Sequence, residues 1–467
     1  MSSLPSFAAF KYESADNLLG YVTEGDGKGY LGFYSEIIFN SRVKFAIENA
    51  PDGLVHIRCC YNNKYWTRAS ATEDYITPSE SEAIEDKNKW NCTLFKPVMI
   101  QDSILSVNFI HNQTGRFIAT TILKTDACVL HLGPSHFDNG HDHIRFQVFD
   151  YGSLVKLPQY VAFKGDNGKF LITDYLNRIS YDHKFSGKCL SDKRTKHEIF
   201  STIEGHILVK NVDANKFWRF RRLATKIIAP DGTSRRDKAS KVEVIQLSEP
   251  NVVSLRIPSD KVFLGRRFDV TNLRHALLPV GTTVTPETRF EVVEPILNRR
   301  VDHVKFRLEH SRIYEKTPET VHKAEIPNDT HLEHQHSIEI SYTKTKTSSW
   351  NNGVILTSSV KTTFQTSTAC IVDGQVEISA QISAELKWGE CIQSSEQVKS
   401  TYIVPVPARH KTIVTAMVTK AKCDIPFSYV QTDTFYDGSK TTTKFDDGVY
   451  TGNETYDFQL MTKYEPL

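Results

Sequence analysis

The chain has 467 residues, enough for about three domains at roughly 150 residues each. Hydrophobic residues make up 39% and charged residues 24%, ordinary values for a folded protein, so wholesale disorder is excluded. Lys and Arg number 57 against 55 Asp and Glu, and the formal charge of +2 is too small a field to recruit nucleic acid or an anionic surface.

At the start of the chain, Met1 to Phe10 lacks a basic segment followed by an apolar run. No signal peptide is expected, and a cytoplasmic or nucleocytoplasmic location is inferred. No window approaches the roughly 20 apolar residues of a membrane helix. The eight cysteines, at 59, 60, 92, 128, 189, 370, 391 and 423, form no Cys-x-x-Cys pair and read as reduced thiols. Sequons begin at Asn91, Asn112, Asn328 and Asn453, and without a secretory route they are chance matches.

The first 295 residues repeat. Leu4-Pro5 leads to Ala9-Phe10-Lys11, and Leu157-Pro158 leads to Ala162-Phe163-Lys164. Asp52-Gly53 opens a stretch ending in Asn63-Lys64-Tyr65-Trp66; Glu204-Gly205 opens one ending in Asn215-Lys216-Phe217-Trp218. Phe146-Gln147-Val148-Phe149-Asp150 closes the first copy and Phe290-Glu291-Val292-Val293-Glu294 the second. One domain has been duplicated, giving 1–151 and 152–295.

Each copy repeats internally. A turn followed by a basic residue and an aromatic recurs at Asn167-Gly168-Lys169-Phe170, Asn215-Lys216-Phe217 and Asp260-Lys261-Val262-Phe263. The first copy gives Gly27-Lys28-Gly29-Tyr30, Asn63-Lys64-Tyr65 and Thr114-Gly115-Arg116-Phe117. Gly or Asn supplies the turn and the aromatic re-enters the core on a strand. Three such copies predict an all-β barrel with threefold symmetry, a β-trefoil, in each half. A sugar site needs planar polar groups and an aromatic surface, and Tyr61, Asn62, Asn63, Tyr65, Trp66 and Tyr75 are candidates. An aromatic that recurs at every pseudo-repeat is better read as core.

Past Glu294-Pro295 the texture turns rich in Ser and Thr, and a third domain is placed at 296–467. From Val376 the apolar positions are Val376, Ile378, Ala380, Ile382, Ala384, Leu386 and Trp388, with Glu377, Ser379, Gln381, Ser383, Glu385 and Lys387 between them. This unbroken period of two predicts one long strand, extending at about 3.3 Å per residue. Val360 to Thr368 alternates more weakly and leads through Ile371-Val372 to Asp373-Gly374, a strong hairpin turn. Residues 360–388 therefore read as an antiparallel hairpin with one apolar and one polar face. An ordinary amphipathic hairpin on a core and a membrane hairpin both fit that pattern.

The Asp52–Trp66 stretch and Trp90-Asn91-Cys92-Thr93-Leu94-Phe95-Lys96-Pro97 resemble the agglutinin domain of amaranthin-type plant lectins. The tail resembles the aerolysin-type pore-forming module through Asn328-Asp329-Thr330, Ser348-Ser349-Trp350, Trp388-Gly389-Glu390, Pro405-Val406-Pro407, Ile425-Pro426-Phe427 and Asp447-Gly448-Val449-Tyr450-Thr451-Gly452. The resemblance implies two agglutinin trefoils followed by an elongated aerolysin-like β-sheet domain. It further implies a non-enzymatic lectin, active in plant defence, that binds membrane glycans and forms a homo-oligomeric ring, often of seven, with a soluble dimer beforehand. The family's sugar-contacting Asn-His-Tyr-Trp segment falls on Thr72-Glu73-Asp74-Tyr75, where only the last position stays aromatic; the family ligand contains galactose and N-acetylgalactosamine. In the implied pore, Val376, Ile378, Ala380, Ile382, Ala384 and Leu386 face lipid, and Glu377, Gln381 and Glu385 line the lumen.

Other readings are weaker. His331, His334 and His336, and the pair His141 and His143, read as solvated histidines, and no metal or other cofactor is expected. Gly25-Asp26-Gly27-Lys28-Gly29 lacks the phosphate-loop ending and reads as a turn. Arg219, Arg221, Arg222, Lys226, Arg235, Arg236 and Lys238 read as a solvated basic loop. No spacing isolates a catalytic pair. The competing functions are a soluble lectin or interaction protein without pore activity, and a fascin-like cytoskeletal binder.

Overall fold

The computed structural model describes all residues except 1–3, 13–15, 102–104, 125, 137–144, 177–179, 221–227, 233–240, 268–273 and 355–359. His141 and His143, and the basic stretch apart from Arg219, lie outside the described residues. The protein is all-β, and the described residues form 32 strands, β1 to β32, with no α-helix.

Strands β1–β12 fall within Phe7–Asp150 and β13–β24 within Tyr160–Val293. In the first set, β1 (Phe7–Tyr12), β4 (Phe45–Asn49), β5 (Val55–Cys59), β8 (Leu94–Gln101), β9 (Leu105–His111) and β12 (Phe146–Asp150) pair in a closed ring, and β2 (Leu18–Tyr21) with β3 (Leu31–Ser35), β6 (Lys64–Arg68) with β7 (Ile76–Glu80), and β10 (Arg116–Ile122) with β11 (Cys128–Leu132) are hairpins outside it. Adding twelve to every strand number reproduces each pairing in the second set. A ring of six with three hairpins is the trefoil arrangement, and closing the ring leaves no open edge in the barrel. The duplication legible in the sequence is thus a duplication of topology.

The turn-basic-aromatic motif opens the first strand of an outer hairpin in five of its six occurrences. Asn63 precedes the strand Lys64–Arg68, Gly115 precedes Arg116–Ile122, and Gly168, Asn215 and Lys261 stand before their own strands, all with positive φ. The sixth differs: Gly27-Lys28-Gly29-Tyr30 lies between Leu18–Tyr21 and Leu31–Ser35, at the tip of the first hairpin rather than its base. Each barrel core centres on one tryptophan, Trp66 and Trp218, both 1% exposed. Apolar residues of both barrels also meet, with Ile203 and Leu154 against Ala9, Leu18, Ile38 and Val43.

The third sheet contains β25 (Ile296–Phe306), β26 (Arg312–Asn328), β27 (His334–Asn351), β28 (Lys361–Val372), β29 (Gln375–Leu386), β30 (Cys391–Val406), β31 (His410–Phe435) and β32 (Lys440–Pro466). Its order is β29-β28-β25-β31-β32-β27-β30, with β26 on β31. By compactness the chain divides into two units: residues 1–299 with 353–361 and 432–442, and residues 300–352 with 362–431 and 443–467. The first unit therefore includes the β31–β32 turn. There Lys196 donates to Asp437 at 2.9 Å, and buried Arg299 is held by Glu294 and Asp433. The second unit has its core at Trp350, Phe364, Phe427, Tyr429 and Tyr450. All eight cysteines are free of disulfides. Asn328 is buried and its amide donates to the carbonyls of Leu332, Val406 and Pro407, so its sequon is a folding element and no acceptor for a glycan.

Candidate functional sites

Thr72, Glu73, Asp74 and Tyr75 form the tip between Lys64–Arg68 and Ile76–Glu80. The tip is built locally by Ser70, whose hydroxyl accepts the amides of Thr72 and Glu73 at 3.3 and 3.1 Å. Such a hydroxyl-to-backbone turn needs no distant partner. Asp74 is different. Its carboxylate receives Arg116 Nη1 at 2.7 Å and sits 3.5 Å from Arg68 Nη2. Arg116 also donates to the carbonyls of Leu132 and Gly133, and Asp74's own carbonyl accepts from Leu132 N–H at 2.7 Å. Asp74 thus fastens the tip to the strand Cys128–Leu132, and Tyr75 bridges His131 on that strand.

What the tip offers a ligand is Tyr75, Glu73 and a residue absent from the predicted set. Tyr30 lies with its ring 5.0 Å from that of Tyr75, tilted by 56°. Burial raises the Tyr30 hydroxyl, and the Glu73 and Tyr75 charges add to the effect. Burial also lowers His131, leaving a neutral imidazole beside the tip. Two aromatic faces beside a solvent-exposed carboxylate are the groups a sugar ring needs: apolar surface for C–H groups and an acceptor for hydroxyls. The other candidates are spent inside the barrel. Tyr61, Asn62, Asn63, Tyr65 and Trp66 are all buried; Asn62 donates to Pro78 O, Asn63 accepts from Arg58, and Tyr65 donates to Glu48.

The 360–388 segment is an antiparallel hairpin. Strands β28 and β29 pair from Thr362↔Leu386 to Val372↔Gln375, and Asp373 and Gly374 turn with φ of 49° and 75°. Positive φ at both central residues is the type I′ geometry that matches strand twist. The register slips by one between Ser367↔Gln381 and Ala369↔Ile378, so β29 carries an extra residue at Ser379–Ala380. Burial on β28 changes phase there, from Thr362, Phe364 and Thr366 to Ala369 and Ile371, whereas β29 keeps its phase: Val376 belongs to the apolar cluster that Ile382 and Leu386 also pack against. Val376 is buried; Ile382, Ala384 and Leu386 are half-buried; Ala380 is exposed and Ile378 is 40% exposed. Glu377, Gln381 and Glu385 all point to solvent.

Phe364 and Trp388 anchor the hairpin's base, with ring centroids 4.9 Å apart and Trp388 5.0 Å from Tyr429. Nearer the turn, the contacts are polar. Tyr450 Oη donates to Ala369 O and accepts from Ala369 N–H, at 3.2 and 3.3 Å. Ile371 N–H donates to Glu454 Oε2 at 2.9 Å. Burial pushes Tyr450 up to about 12, so it stays protonated at ordinary pH.

His331 Nε2 accepts from Arg409 Nη2 at 2.8 Å, and His334 and His336 are exposed on β27. No set of three His, Cys, Asp or Glu suited to a metal occurs among the described residues. No described helix is long and apolar enough to cross a membrane, which leaves strands untouched.

Residues 2–141 match the family model of the agglutinin domain. The match covers the first barrel up to the strand Phe146–Asp150 that closes it, and includes the tip at Thr72–Tyr75. Among solved structures, lamprey immune protein is 12% identical over 78% of this chain and 88% of its own, with a TM-score of 0.31. An aerolysin-like protein of Bombina maxima is 14% identical over 36% and 99%, with a TM-score of 0.24. The parasporin-2 toxin of Bacillus thuringiensis is 15% identical over 47% and 87%, with a TM-score of 0.23. At such scores the architecture rests on this chain's own strand pairings. No curated protein matches the chain.

In the first barrel, the place of Tyr30, Arg116 and His131 beside the tip escapes sequence reasoning because they lie some 40 or more residues from it. Tyr30 and Arg116 left a signal only as members of the turn-basic-aromatic motif.

Proposed function

We propose that this chain is a lectin-guided β-pore former. Its agglutinin domain holds a membrane glycan at Tyr30, Glu73 and Tyr75, copies of the chain assemble, and each contributes the 360–388 hairpin to a shared transmembrane barrel. The observation that carries this reading is the presence, in the same chain as an agglutinin domain, of a hairpin of two 12-residue strands. A membrane β-strand needs about 9–11 residues. One hairpin leaves open edges that lipid does not tolerate, so insertion requires several protomers.

In the inserted hairpin Val376, Ile378, Ala380, Ile382, Ala384 and Leu386 form one lipid face, and Glu377, Gln381 and Glu385 the lumen. The glycan class carried over from the resemblance contains galactose or N-acetylgalactosamine. A cytoplasmic store of soluble protein, a dimer before assembly and a defensive role in a plant belong to the same proposal.

Ala380→Arg and Glu377→Lys test it. Arg at the lipid midplane costs about 2–4 kcal/mol, repeated once per protomer. Ala380→Arg should abolish dye release from glycolipid vesicles while glycan-array binding persists. Glu377→Lys should keep conductance in planar bilayers and turn selectivity toward anions. Full conductance from Ala380→Arg, or unchanged selectivity of an active Glu377→Lys pore, would mean that the hairpin does not cross the membrane. Glycan binding with no leakage from the wild type would leave a soluble lectin.

A further inference from the structure

Where the hairpin's own ladder slips, side chains of the neighbouring sheet take hold of its backbone. Tyr450 and Glu454, four residues apart on β32, bond Ala369 and Ile371, two residues apart on β28. These contacts cross about 80 residues of chain. Ser348 of β27 lies 2.7 Å from the Tyr450 hydroxyl. With the Tyr450 proton committed to Ala369 O, Ser348 donates the proton of that third bond. Lys346, two residues away on β27, donates to Ser379 Oγ at the slip itself, at 3.4 Å. Strands β27 and β32 are paired here, Lys346 with Glu454 and Ser348 with Gly452, so the grips form one patch.

We propose that Ser348, Tyr450 and Glu454 are a polar latch that holds β28 by its backbone and sets the barrier to release of the hairpin. This rests on the pore-forming reading for its purpose, and the geometry of the latch stands apart from it. Three features suit a latch better than a permanent join. The bonds gripping Ala369 and Ile371 are made by side chains, so breaking them leaves the pairing of β27 with β32 intact, and only the ladder of β28 with β25 has to part besides. They cluster at a register slip, where the hairpin's own ladder is weakest. Glu454 is only 6% exposed, with Lys344 Nζ 3.6 Å away. A buried carboxylate is held at a desolvation cost. When the hairpin leaves, water solvates it again, which offsets part of the loss of its bond to Ile371.

Hydrogen–deuterium exchange on the full chain tests this directly. Tyr450→Phe removes one oxygen and keeps the buried ring; Glu454→Ala removes the second grip, and Glu454→Gln retains an acceptor. Exchange at Ala369 and Ile371 should accelerate about 10-fold or more in Tyr450→Phe and Glu454→Ala, and less in Glu454→Gln. Exchange in the Ser337–Thr347 portion of β27 should stay within about twofold. Dye release from vesicles carrying a galactose-terminated glycolipid should be faster in the same order. Unchanged exchange at Ala369 and Ile371 in both Tyr450→Phe and Glu454→Ala overturns the latch. So does an equal acceleration throughout β27, which would mark a general loss of stability. Accelerated local exchange in a chain that never releases dye supports the latch and sinks the pore.

Discussion

The two barrels share every strand pairing and differ at the centre. In the first, Trp66 packs edge-on against Phe45, with ring centroids 5.2 Å apart at 82°. In the second, Trp218 packs in the same way against His197, at 5.4 Å and 82°. The duplication places Leu31 opposite His183 in the same comparison, and His183 lies 4.9 Å from Trp218. A backbone ring thus tolerates two different cores, provided that the volume and the edge-to-face geometry are kept. The imidazoles need polar company: His183 Nδ1 meets Thr173 Oγ1 at 3.1 Å, and His197 Nδ1 meets Thr195 O at 3.0 Å. Burial lowers both, His183 well below its ordinary value and His197 to about 4. The first barrel has no titratable group in this place, so acid should tell the two apart.

The largest effect expected is from removing the shared centre. Trp66→Ala and Trp218→Ala should each cost about 3–5 kcal/mol, read by denaturant unfolding. A difference of more than about 2 kcal/mol between them would show that the two cores do not bear equal weight. Acidification comes next. An imidazole whose folded pKa lies below its unfolded one binds protons preferentially in the unfolded chain. Stability is therefore intact above pH 6.5 and falls as the pH drops toward 4, by about 3 kcal/mol from His197 alone. The second barrel should unfold first, with backbone amide exchange within residues 160–293 accelerating before that within residues 7–150 as the pH falls. Simultaneous loss of both barrels at every pH would refute the difference.

His197→Phe copies the first barrel into the second. It should cut the acid-induced loss at pH 4.5 by about half, and cost about 1 kcal/mol at pH 7, because Thr195 O loses its partner. Equal pH dependence before and after the change would place the acid sensitivity elsewhere. The smallest effects belong to the tip. Tyr75→Ala and Glu73→Gln should weaken glycan binding about 10-fold, about 1.4 kcal/mol, with little change in melting. Asp74→Ala should instead lower stability, because Arg116 loses its carboxylate. The counterpart of the tip in the second barrel lies outside the described residues.

Much of this was written in local sequence. A period of two and an Asp373-Gly374 turn are enough to define a hairpin, since strand alternation and positive φ are properties of neighbours. Ala9-Phe10-Lys11 and Ala162-Phe163-Lys164 are enough to reveal a duplication. The burial of Tyr65 and Trp66 follows from their recurrence at a fixed place in each repeat. Other features have no local signature. Asp74 looks like an exposed loop acid beside Glu73; its ion pair with Arg116, 42 residues on, ties the tip to a distant strand. The even spacing from Val376 to Leu386 gives no hint of the slip at Ser379–Ala380, because a slip is a relation between two strands. The grip of Tyr450 and Glu454 on β28 is of the same kind. Sequence determined which segments become strands and how they turn; the tertiary structure decided which polar groups face one another across the sheet, because hydrogen bonds between distant residues depend on register and burial that no single strand contains.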